Sequence, residues 1–118
     1  MHTADLMHVS GELHSHLGTI AEGINRMPDV TLTLGLTMLR NTVLGVAKDL
    51  GIKPEEWKYA HTPHDVFIEP IEVHAFIKLQ SSVACLINAA YLNDAVLFKH
   101  AIFDVEHYID KIASVFVK

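Results

Sequence analysis

The chain has 118 residues, half of them hydrophobic and 19% charged, with nine histidines and a single cysteine, Cys85. Nine Lys and Arg against fourteen Asp and Glu give a net charge of −5, so no chain-wide basic field exists to hold a phosphate backbone, and nucleic acid is not an expected partner. A domain of this size can bury a core without disulfides or a structural metal, and a lone cysteine cannot bridge internally, which fits a reducing, cytoplasmic setting. The N-terminus shows no basic run ahead of an apolar core, so no secretory signal is expected there.

A first helix is predicted over about 5–26. Its apolar positions Leu13, Leu17, Ile20, Ile24 and Met27 step by 4 and 3, and it breaks at Met27-Pro28-Asp29, where proline disfavours helical geometry in the residue before it. His8, Glu12 and His16 share one stripe at i, i+4, i+8, a spacing at which neighbouring members could grip a divalent transition metal. Asp5, Thr19 and Arg26 continue the stripe, which reads as a solvated face. No cofactor is predicted beyond that metal.

A second helix is predicted over about 30–50, with Asp29 placed to cap it and Gly51 placed for a left-handed end. Its seam is Leu32, Leu36, Leu39, Val43, Val46 and Leu50, while Leu34, Met38 and Gly45 fall on its other side. The stretch Val30 to Ala47 is the most apolar of the chain, yet it carries Arg40 and Asn41 at its middle and four threonines. It is read as a buried helix, with no membrane partner expected.

The connector over 51–70 holds the only Trp and three of the four prolines. Trp57, Tyr59, His61, His64 and Asp65 make it the candidate ligand site: aromatic walls with His and Asp tips could hold a planar ligand or a metal. The alternative is that Trp57, Tyr59 and Phe67 pin the loop onto the bundle. Val66-Phe67-Ile68 is the one short β-like run.

A third helix is predicted over about 71–92, opened by Glu69-Pro70, with the seam Phe76, Leu79, Val83, Leu86, Ala90. Val73, Ile77, Ala84 and Tyr91 lie roughly 100° away from that seam. Cys85 is expected to be a packed, inert thiol at the seam flank. A fourth helix is predicted over about 94–117, capped from Asn93-Asp94, with the seam Phe98, Ile102, Val105, Ile109, Ile112, Phe116. His100, Asp104 and His107 resemble a carboxylate/His ligand set, but they fall opposite the seam, unlike the inward ligands of a buried di-iron bundle. Val96, His100, Phe103 and His107 form a second outward stripe centred on an aromatic residue.

Four 4-3 seams in one short chain predict an all-α four-helix bundle, a single domain over 1–118, built from two antiparallel hairpins joined by a crossover of about 20 residues. A helix apolar on two sides must be covered on two sides. Val96, His100, Phe103, His107, Leu34 and Met38 are therefore the candidate interface, and a homo-oligomer, dimer or higher, is the expected state. Protonating all nine His would turn −5 into +4, so pH-dependent association is a further expectation. No Gly-rich phosphate loop or nucleophile elbow occurs, which argues against an enzyme.

The segment Leu32-Thr-Leu-Gly-Leu-Thr-Met-Leu-Arg-Asn-Thr-Val-Leu-Gly-Val-Ala-Lys-Asp-Leu50, set after a Pro-Asp turn that follows a helix, resembles the second helix of the helical-hairpin cyclic-nucleotide sponges of phages. Val30, Thr31 and Leu32 stand where that family's turn is charged, and no residue role is carried across. The resemblance implies sequestration of a small nucleotide as an alternative function. The expected primary role is non-enzymatic: protein–protein interaction or binding of a small ligand by a homo-oligomer. A His/carboxylate metal-binding protein is the other alternative.

Overall fold

The structure, a computed structural model, describes residues 3–25, 30–53 and 70–116. It contains four helices: α1 (Thr3–Asn25), α2 (Val30–Asp49), α3 (Ile71–Leu92) and α4 (Ala95–Phe116), and no strand among the described residues. The protein is an all-α four-helix bundle. The connector residues Trp57, Tyr59, His61, His64 and Asp65 lie outside the described residues, as do Met27 and Val66-Phe67-Ile68.

The helix ends follow from local chemistry. Gly51 takes φ +75°, with its N–H on the Lys48 carbonyl (3.0 Å) and the Ile52 N–H on Ala47 (2.9 Å), so the last carbonyls of α2 are satisfied and Ile52 is buried. Asn93 ends α3 in the left-handed region (φ 54°, ψ 38°), and the Asp94 carboxylate then accepts the Leu97 N–H at 3.1 Å to cap α4. Pro70 stands one residue ahead of α3 at φ −73°, and its carbonyl accepts the His74 N–H.

α1 pairs with α2 and α3 with α4, while α1 also lies beside α3 and α2 beside α4; α2 and α3 therefore occupy one diagonal. Leu50 and Ile52 at the end of α2 share a cavity with Ala89 and Ala90 at the end of α3 and Phe98 near the start of α4. Thr33 and Thr37 near the start of α2 face Ile109 and Ala113 near the end of α4. Every neighbouring pair thus runs antiparallel, and α2 and α3 run parallel across the diagonal. The end of α2 and the start of α3 sit at opposite ends of the bundle, which is the one-crossover topology.

The four seams meet in one core. Leu13, Leu17 and Ile20 of α1, Leu32, Leu36, Leu39, Val43 and Val46 of α2, Leu79, Val83 and Leu86 of α3, and Phe98, Ile102, Val105, Ile109 and Ile112 of α4 are all buried. Each large apolar side chain placed there contributes about 1.5–3 kcal/mol from surface removed from water. Ile24, Leu50, Phe76 and Ala90, at the seam ends, are only half-buried.

Two glycines set the α1–α2 spacing. A Cβ at Gly23 would come within 2.7 Å of the Leu32 Cα, and one at Gly35 within 2.9 Å of the Ile20 Cγ1. The backbones can approach this closely only because neither residue has a side chain.

Candidate functional site

The close α1–α2 approach decides the fate of the His8/Glu12/His16 stripe. His16, expected in solvent, is 8% exposed, and its Nε2 lies 3.0 Å from the Thr42 hydroxyl of α2. The glycine contacts bring α2 far enough around α1 to cover positions 16 and 23 beside the seam. His8 and Glu12 remain outside as an exposed pair, Nε2 to Oε1 2.9 Å. The stripe is thus split between a solvent-facing pair and a buried histidine engaged with a neighbouring helix. Among the described residues, no three His, Cys, Asp or Glu side chains converge as a ligand set.

Cys85 is also a correction: it is exposed, not packed. Residue 85 falls roughly 130° round from the middle of the Leu79/Val83/Leu86 seam at 100° per residue, beyond the arc that α1 and α4 cover.

On α4, Val96 is fully outward, whereas His100, Phe103 and His107 are half-buried. The Phe103 and His107 rings lie nearly parallel (3°) with centroids 6.4 Å apart, and His107 meets Tyr108 edge-on at 5.3 Å. Phe103 is therefore held by its own helix. On α2, Leu34 and Met38 are exposed, in line with Val30 one turn earlier and Gly45 two turns later. Between α2 and α4, Arg40 bonds Asp110 through its terminal nitrogen, above a groove floored by Leu36, Ile109 and Ala113. The Arg40 Nε is buried there without a partner.

Among the described residues, α3 also carries an uncovered apolar row. Val73, Ile77 and Tyr91 are 43%, 53% and 46% exposed, Gln80 and Ala84 are exposed between them, and Ile87 is half-buried. These six residues step by 4, 3, 4, 3, 4, a second complete heptad seam roughly 100° around the helix from the first. Val73, Ile77, Ala84 and Tyr91 were legible from the sequence; Gln80 and Ile87 complete the seam, and the unbroken 4-3 spacing is the signal that could have found them.

α2 and residues 73–92 of α3 are each long and apolar enough, by length and composition, to cross a membrane, and 39% and 33% of those windows are buried in the bundle. On α2 the core takes Leu32, Leu36, Leu39, Val43, Val46 and Ala47, while Val30, Leu34 and Met38 stay exposed. Comparison with protein-family models, curated proteins and solved structures returns no match to this chain.

Proposed function

We propose that the protein is a non-enzymatic, cytoplasmic helical-bundle protein that works as a homo-oligomer, with the outer faces of α2 and α3, at opposite corners of the bundle, as two separate assembly surfaces. The observation that carries this reading is the row of large apolar side chains left in solvent at helical spacing: Val30, Leu34 and Met38 on α2, and Val73, Ile77 and Tyr91 on α3. Single exposed apolar residues are ordinary, but contiguous rows mark contact surfaces. Val96 and the half-buried His100 and His107 add an outward stripe on α4. Binding of a protein partner or small ligand would then be a property of the assembly.

Sedimentation velocity on the untagged protein tests the reading. A single species larger than the monomer is expected near neutral pH, and Ile77→Asp is expected to reduce it to monomer with the helical circular dichroism unchanged. A monomer across the micromolar range would refute the proposal.

A further inference from the structure

We propose that the groove between α2 and α4 is a binding site for a small organic monocarboxylate with an apolar body. Thr33 and Thr37, both exposed, and the half-buried Arg40 share one side of α2 at i, i+4, i+7 and line the groove. Beneath them the floor is apolar: Leu36 and Ile109 are buried and Ala113 is half-buried. Sites for small molecules combine these two things, an apolar surface for the body and a few polar groups that fix its orientation. From the level of Thr33 to that of Arg40 the groove runs about 10 Å at 1.5 Å per residue, room for a ring or branched chain with a short acid arm.

The guanidinium marks the charged end. Nε and Nη2 share one edge of Arg40, on which a carboxylate can be held by two parallel N–H bonds. Asp110 reaches across from α4 and accepts from Nη2 alone, and Nε is left buried without an acceptor. A buried donor with no acceptor is costly, and the Asp110 side chain is 70% exposed, so a better-placed carboxylate displaces this pairing. The acid of the ligand takes both nitrogens of that edge, with the Thr37 hydroxyl one turn before as a further donor, and the body lies on Leu36, Ile109 and Ala113. Charge limits the ligand to a single acid. Among the described residues that line the groove, Arg40 is the one cation and Asp110 the one anion. The guanidinium balances one incoming charge once Asp110 turns into solvent, whereas a dianion such as phosphate leaves a second charge facing Asp110.

The test titrates the untagged, isotope-labelled full chain with phenylpropionate and follows the backbone amides by NMR, with phenylpropionamide and inorganic phosphate as controls. Saturable shifts centred on Thr33 to Arg40 and Ile109 to Ala113 are expected from the acid and not from the controls. Arg40→Gln should weaken binding by about tenfold or more, the loss of a charge-assisted pair, and Thr37→Val by a smaller factor. Asp110→Asn removes the internal competitor and should tighten binding several-fold, and this exposed position keeps the test decisive if Arg40→Gln fails to fold. Absence of a saturable response at millimolar acid would overturn the proposal. So would an equal response to the amide or to phosphate, or weaker binding by Asp110→Asn than by wild type.

Discussion

Two heptad seams run along α3 with the same spacing and opposite surroundings. Phe76, Leu79, Val83, Leu86 and Ala90 point into the bundle, where Leu79, Val83 and Leu86 are buried; Val73, Ile77, Gln80, Ala84, Ile87 and Tyr91 run along its outside. The inner seam has a partner on each side because α1 and α4 converge on it. The outer seam lies at the edge of that arc, with Ile87 packed against the core and Val73, Ile77, Gln80, Ala84 and Tyr91 exposed. A 4-3 repeat states that a helix packs, and the neighbours decide against what.

Truncations on the two seams should separate them most sharply. Leu79→Ala removes a fully buried side chain and is expected to cost about 2–5 kcal/mol in urea unfolding, whereas Ile77→Ala should change the stability of the dissociated chain by about 0.5 kcal/mol or less. Equal losses from the two variants at low protein concentration would erase the distinction between inner and outer seam.

The hairpin contacts give a second, smaller contrast. Gly23→Ala forces a Cβ against the Leu32 backbone and is expected to destabilise the bundle by about 1–3 kcal/mol, while alanine at Gly45, which meets open space, should not. Thermal melts of the two variants, compared with wild type, measure this directly. A Gly23→Ala protein as stable as Gly45→Ala would show that α1 and α2 do not approach so closely.

Polar ties across helices should rank by burial. Thr42→Val leaves the buried His16 without its bond and should cost about 1–3 kcal/mol, read from denaturant midpoints at unchanged slope. Asp110→Ala breaks a pair whose carboxylate side chain is 70% exposed, and should cost about 1 kcal/mol or less, diminishing further at high salt. An Asp110 effect larger than that of Thr42 would reverse the ranking.

Much of the fold was legible because each helix repeats one pattern over many turns. The four helices begin and end within two residues of their predicted bounds, and Gly51, Asn93 and Asp94 act at the positions their backbone chemistry suits. The candidate sites were less legible. His8, Glu12 and His16 share a stripe by angle alone, but the angle does not say how closely a neighbouring helix approaches, and at Gly23 and Gly35 it approaches closely enough to bury His16. Cys85 sits one residue from the buried Leu86, yet at 100° per residue one step is enough to leave the covered arc. Phe103 has the spacing of an outward anchor and is half-covered against His107.

The amino-acid order alone determined that this protein is four amphipathic helices in two hairpins, because hydrophobic periodicity and helix-end chemistry are local and each can be read from a few neighbouring residues. Which surplus face stays uncovered was decided only in three dimensions. The one-crossover arrangement sets α2 and α3 on a diagonal, each with two helical neighbours and an outer side that no other helix of the bundle reaches.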